Sequence, residues 1–371
     1  MDVVSLTQNL IRYPSVSPHG AGCIEFIEDF LRSRGFTCQR YDRHETQNLY
    51  AWRGEVTPKV CFVGHVDVVP PGDAQQWRHP PFAAEVSEGS IWGRGAVDMK
   101  GAIAVFLSLL DRVPAEQPLS LLVTSDEEAD ARDGIQYAAP IIFQDSTQIP
   151  ELFLVGEPTS EHQVGDTLKV GRRGSLNGRL VMRGIQGHVA YPQKADNPLP
   201  RLIEALGVLQ KFHWDEGDAY FTPTHFEIAS IDVGNPATNV IPAEGSAIFN
   251  LRFNTRYQGK QLEDLIRGLL APHMAERDEL TFRLSGEPFI SKPYRKQEEI
   301  VQALHQELGF KPQLSTSGGT SDARFLHVYA PVIELGLRND LAHQVDERVS
   351  GDDLHTLTRC YGVLLEAVFS G

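Results

Sequence analysis

Val60-Cys61-Phe62-Val63-Gly64-His65-Val66-Asp67 sets four apolar residues directly before an imidazole and a carboxylate. Three further runs, at residues 119–124, 152–155 and 332–335, are continuous in hydrophobicity apart from Ser120 and Glu334. Short apolar runs without polar alternation predict strands buried on both faces, the pattern of a largely parallel sheet. Helical spacing surrounds them: Cys23, Ile27, Phe30 and Leu31 ending at Gly35, then residues 102–110, then Leu354, Leu357, Tyr361 and Leu364. The expectation is an α/β fold with a mostly parallel central sheet.

The middle third of the chain has another rhythm. Phe249, Leu251 and Phe253 alternate with Asn250, Arg252 and Asn254, and Leu176, Leu180 and Met182 keep an even spacing. Alternation suits half-exposed antiparallel strands. With helical spacing at Leu202, Leu206 and Leu209 and at Leu262, Leu265 and Leu269, residues 175–287 follow the order strand, helix, strand, strand, helix, strand, a ferredoxin-like split βαβ. The expected organisation is one domain made of residues 1–174 and 288–371, with a second, 175–287, inserted into it.

A chain of 371 residues, 41% hydrophobic and 22% charged, suits two globular domains. The net charge of −15 disfavours nucleic acid or an anionic membrane as partner, yet leaves room for a small anionic ligand held by a few arginines. The start, Met1-Asp2-Val3-Val4-Ser5, has no basic, apolar secretory pattern, and the apolar run near residues 102–110 is too short to cross a bilayer. A cytoplasmic protein is expected. Cys23, Cys38, Cys61 and Cys360 are widely spaced, which predicts free thiols and argues against a thiolate metal site.

Each apolar run is followed by chemistry: His65 and Asp67 after the first, Ser125-Asp126-Glu127-Glu128 after the second, Gly156-Glu157-Pro158 after the third, Asn339 and His343 after the fourth. Open α/β sheets bind ligands beyond the carboxyl ends of their strands, so these residues should converge. Asp98, in the glycine-rich stretch Gly93-Arg94-Gly95-Ala96-Val97-Asp98-Met99-Lys100-Gly101, precedes a helix and could bridge two ions. Imidazole and carboxylate donors suit a hydrolytic zinc pair better than a structural zinc. Neither Gly174-Ser175 nor the loop Ser317-Gly318-Gly319-Thr320-Ser321-Asp322 carries the elbow of a serine nucleophile. That loop is read as a cradle for a substrate carboxylate.

The segments 65–73, 93–101, 126–128, 156–158 and Gly187-His188-Val189-Ala190-Tyr191-Pro192, in this order, resemble the M20 metallohydrolases. The resemblance implies two Zn2+ per subunit, with Co2+ able to substitute: His65 and Glu157 on one ion, Glu128 and His343 on the other, Asp98 on both. It implies Glu127 as general acid/base and Asp67 as the carboxylate that orients His65. Before His343 the chain reads Arg338-Asn339-Asp340-Leu341-Ala342, where the family more often has Asn-Ala-Thr-x-His. Arg172, Asn239, Arg252, Gly319, Thr320 and Asn339 are the implied substrate contacts. The insert is the implied dimerisation and lid domain of a homodimer, with His188 and Asn239 reaching the partner's active site.

The likeness is strongest to members that hydrolyse N-succinyl-LL-2,6-diaminopimelate, a small anionic N-acyl amino acid. Deacetylation of N-acetylornithine, or hydrolysis of another N-acyl amino acid, is the alternative within the family. A catalytically silent small-molecule binding protein is the alternative outside it, and the presence of all six residues His65, Asp98, Glu127, Glu128, Glu157 and His343 argues against that.

Overall fold

Strand Val60–His65 occupies the fourth position of an eight-stranded sheet whose order is Thr37–Arg40, Asn48–Arg53, Leu119–Thr124, Val60–His65, Leu152–Val155, Val332–Glu334, Thr167–Lys169, Gln313–Ser315. The structure, a computed structural model, describes residues 1–370. The four strands that the apolar runs form are neighbours and run parallel. All their residues are buried, because helices cover both faces of such a sheet. Glu334, the charged residue inside its run, is buried and accepts a hydrogen bond from Ser321 Oγ at 3.0 Å.

Register sets where the chemistry emerges. His65 pairs with Thr124, and Val63 with Val155, so three carboxyl ends finish side by side. Helix Gly101–Leu109, buried at every residue but Ser108, packs Phe106 flat on Phe62 with ring centroids 4.3 Å apart. The C-terminal helix Gly351–Phe369 is capped by Ser350 Oγ, which accepts from Asp353 N at 3.0 Å. From it Tyr361 donates to the Leu335 carbonyl at 2.6 Å.

By its internal contacts the chain divides into two units. The first, just described, comprises Met1–Val170, Ser291–Ser315 and the chain from Ser321 onward. The second comprises Gly171–Ile290 with Thr316–Thr320. Its sheet, ordered His225–Asp232, Glu244–Phe253, Gly174–Arg183, Glu279–Gly286, is antiparallel throughout. Helices Leu199–Lys211 and Gly259–Leu270 connect the strands in the split βαβ order. Strand Glu244–Phe253 alternates between covered and open residues, and Phe249, Leu251 and Phe253 form the core with Leu176, Leu180 and Leu206. Gly178 faces Phe249 across the ladder, and a β-carbon there would lie 2.1 Å from the ring. Only glycine fits beneath it.

Among the described residues no helix is long and apolar enough to cross a membrane, and all four cysteines are free thiols.

Candidate metal centre

His65 is the last residue of its strand and 1% exposed. Its Nδ1 lies 2.9 Å from the Asp67 carbonyl. A carbonyl only accepts, so Nδ1 carries the hydrogen and Nε2 turns the other way. Two carboxylates wait there: Asp98 Oδ1 at 3.2 Å and Glu157 Oε1 at 3.7 Å. Asp98's other oxygen is 3.3 Å from His343 Nε2, which also lies 2.9 Å from Glu128 Oε1. Two groups capable of holding an ion result, His65–Asp98–Glu157 and Asp98–Glu128–His343, with Asp98 common to both.

Local sequence explains how Asp98 arrives. Gly95 adopts φ 86° and lets the chain turn where a β-carbon would meet Val68 Cγ1 at 2.7 Å. At Asp98 the backbone leaves helical geometry, with φ −121° and ψ 94°, before helix Gly101–Leu109 begins. His343 is placed by a loop, with φ 64°.

The electrostatics call for a cation. His65 Nε2 and Asp98 Oδ1, 3.2 Å apart, are buried and make no well-aligned hydrogen bond, so an ion between them would satisfy both. The Asp98 and Glu128 carboxylates raise the His343 imidazole to about 10. Burial opposes the charged form of His65, yet Asp98, Asp67 and Glu157 together hold its pKa well above the ordinary value. Asp98 is held below the usual carboxylate range: burial works against its charge, but both imidazoles overcome it. Imidazole and carboxylate donors fit a zinc-type ion.

Glu127 belongs to neither group. It is half-buried, and burial, with like charge from Asp322 and Glu128, pushes its carboxyl up to about 8. Asp67, fully buried, anchors this segment. Its carboxylate accepts from Glu127 N at 3.1 Å and Glu128 N at 3.0 Å, and stands 3.6 Å from His65 Nδ1. The contact closest to His65 is thus Asp67's carbonyl, while its side chain fastens the loop that bears the two glutamates.

Among the expected substrate contacts, Asn339 lies in the unit that holds the metal groups, exposed, with its N–H donated to Ser160 O at 3.0 Å. Arg172, Arg252, His188, Asn239, Gly319 and Thr320 lie in the second unit. There Arg172 donates to the Gly319 carbonyl at 3.2 Å. His188 pairs with Val240, Val189 N donates to Asn239 O at 3.1 Å, and His188 and Asn239 are both exposed. Arg252 sits opposite His225 and Ser175, and Arg173 Nη1 lies 3.3 Å from His225 Nδ1.

Sequence reasoning missed three features. Arg173 and His225 join Arg252 in a basic cluster, where burial and Arg252 depress the Arg173 guanidinium. Asp322, read only as the end of the 317–322 loop, is 3% exposed and pushed up to about 7, chiefly by burial, in the neighbourhood of His65 and Asp67. Arg94 and Glu347 form an ion pair sealed from solvent. Pairing across a sheet or between distant loops leaves no periodic mark in a sequence.

An α/β sheet that delivers two imidazole–carboxylate groups sharing one acid, with a spare glutamate beside them, defines a class: the metal-dependent amidohydrolases. The profile of peptidase family M20/M25/M40 matches residues 61–367, and this chain belongs to that family. Succinyl-diaminopimelate desuccinylase of Maricaulis maris is 45% identical over 98% of this chain and 95% of its own. That of Alkalilimnicola ehrlichii is 45% identical over 98% of each. An M20 family metallo-carboxypeptidase from Sulfolobus solfataricus shares the fold with a TM-score of 0.80 at 16% identity, covering 99% of each chain.

Proposed function

We propose that this chain hydrolyses N-succinyl-LL-2,6-diaminopimelate to succinate and LL-2,6-diaminopimelate, a step of lysine and diaminopimelate biosynthesis. The observation that carries the reading is the near full-length similarity to proteins named for that activity, joined to two groups of side chains that could each hold a metal ion.

In this reading His65 and Glu157 would hold one Zn2+ and Glu128 and His343 a second, with Asp98 available to both. When bound, such a pair lowers the pKa of water and stabilises negative charge on the amide oxygen. Glu127, whose carboxyl the nearby cations would bring back down from its raised value, would take the proton from the attacking water and return it to the departing amine nitrogen. Asp67 keeps Glu127 and Glu128 in place through their backbone N–H groups. Arg172 and Arg252 supply forks for the substrate's carboxylates, with Gly319, Thr320, Asn239 and Asn339 as further polar contacts.

The second unit serves as the dimerisation domain, and His188 and Asn239 complete the partner's site, where the imidazole steadies the developing oxyanion. Four free thiols suit a reducing cytoplasm.

Amine release measured side by side on N-succinyl-diaminopimelate and N-acetylornithine tests the substrate, and turnover of the acetyl compound at an equal or higher rate overturns it. Chains carrying Glu127→Ala and His188→Ala, each inactive alone, regain activity once mixed into heterodimers if sites are shared between subunits. A dead mixture, with heterodimers demonstrated, means that each chain completes its own site.

A further inference from the structure

Arg94 is 2% exposed and Glu347 fully buried, with Nη1 2.7 Å from Oε2. Neither belongs to a metal group. The chain brings them together because strand Arg348–Ser350 pairs with Ser90–Trp92, and Gly93 N donates to the Glu347 carbonyl at 2.9 Å. A pair that served only to fill the interior would need no more than its mutual contact and neutral neighbours. These two spend their remaining hydrogen bonds on the segments that carry metal-ligating side chains.

Glu347 accepts three backbone N–H groups besides the guanidinium: Gly95 at 3.0 Å, Val97 at 2.9 Å and Asp98 itself at 3.2 Å. Asp98 lies in an irregular stretch between a left-handed glycine and a helix, and so gains no positioning from a ladder. Glu347 supplies it. Arg94 reaches the opposite way, Nη1 to the Gln344 carbonyl at 3.1 Å and Nη2 to the His343 carbonyl at 3.3 Å. His343 and Asp346 both adopt left-handed backbone, φ 64° and 63°, which residues with a β-carbon seldom occupy unless the surroundings enforce it. Arg94 enforces it at one end, and at the other the Asp346 carboxylate accepts Arg78 N at 2.7 Å.

We propose that Arg94 and Glu347 are a positioning pair for the metal centre with separable tasks. Glu347 sets the shared carboxylate of Asp98 and so governs both ions, whereas Arg94 sets the loop bearing His343 and governs the Glu128–His343 ion alone. The inference rests on reading the two side-chain groups as metal sites. Partners one shell out from a metal typically change its affinity about 10- to 100-fold.

The test uses the full chain, freed of metal by a chelator and titrated with Co2+, following calorimetry and the Co2+ absorption spectrum, with His343→Ala marking which binding event belongs to which site. Arg94→Lys keeps the buried charge opposite Glu347 but has no fork for the two carbonyls. It should weaken, by about 10- to 100-fold, only the event that His343→Ala weakens. Glu347→Gln should weaken both events. Near-UV circular dichroism reports whether each variant keeps its packing, and if Glu347→Gln does not, the Arg94→Lys pattern decides the matter by itself. Equal loss at both sites in Arg94→Lys, or loss at neither, overturns the proposal. Failure of the metal-site reading shows elsewhere: the unaltered chain would then take up fewer than two ions.

Discussion

His65 and His343 face the same aspartate from two kinds of structure. His65 closes a central strand, its side chain 2% exposed, its place set by ladder register with Thr124. His343 stands on a loop, its side chain 50% exposed, in a backbone conformation that costs a residue with a β-carbon about 1–2 kcal/mol. One half of the centre is positioned by the sheet and the other by contacts that the loop collects from distant residues. Ligands equal in chemistry are therefore unequal in rigidity: damage to the loop side should remain local, while damage to the sheet side or to the shared acid should spread.

The largest effect should follow Asp98→Ala, which removes the carboxylate common to both halves. Metal content falls to near zero and turnover to background, as elemental analysis and an amine-release assay would register. Retention of two ions would show that the halves do not share a ligand. Glu127→Gln comes next, since Glu127 lies in neither half: turnover should fall about 1,000-fold with ion content unchanged. Loss of one ion per chain would make Glu127 a ligand and place the proton acceptor elsewhere.

The halves are compared directly by His65→Ala and His343→Ala. His343→Ala should weaken one ion by about 100-fold or more, spare the other and, because the half-exposed imidazole's pairing with Asp98 and Glu128 is screened by solvent, cost the metal-free chain about 1 kcal/mol or less. His65→Ala should also destabilise the metal-free fold by about 1–3 kcal/mol, because it strands the buried Asp98 and Glu157 carboxylates. If the two variants melt alike, the sheet side is no more rigid than the loop side.

The smallest effect is a proton count. His343 is held near 10 by Asp98 and Glu128, above its ordinary value, so the metal-free chain keeps it protonated at pH 8, where an unperturbed imidazole is neutral. An arriving ion must expel that proton. Calorimetry at pH 8 in buffers of differing ionisation enthalpy should therefore find about one proton fewer released by His343→Ala, and the difference should fade as the pH rises through 10. An unchanged count would place the imidazole outside the centre.

Much of the fold is legible in the sequence because burial dictates residue type. The runs at 60–63, 119–124, 152–155 and 332–335 lie in four neighbouring parallel strands, and alternation around Phe249 and Leu251 marks a sheet covered on one face. Strands Thr37–Arg40 and Asn48–Arg53 were not foreseen. The first is an edge strand that keeps no residue buried, and the second is buried at all but one position yet polar at both ends. The three-residue strands around Trp92 are too short to show any period.

Residue order alone dictates which side chains follow each apolar run, and therefore the donor chemistry of the centre. Strand ends in a parallel sheet must emerge on one side. How those donors are spaced and held follows from the folded chain: Asp98 stands 3.2 Å from one imidazole and 3.3 Å from the other, Asp67's carboxylate grips the backbone of Glu127 and Glu128 rather than lying nearest His65, and Glu347, 253 residues from Arg94, holds Asp98 from behind. Strand polarity is local and written in residue order. A hydrogen bond between segments far apart in the chain depends on where the whole sheet brings them, and no window of sequence contains both partners.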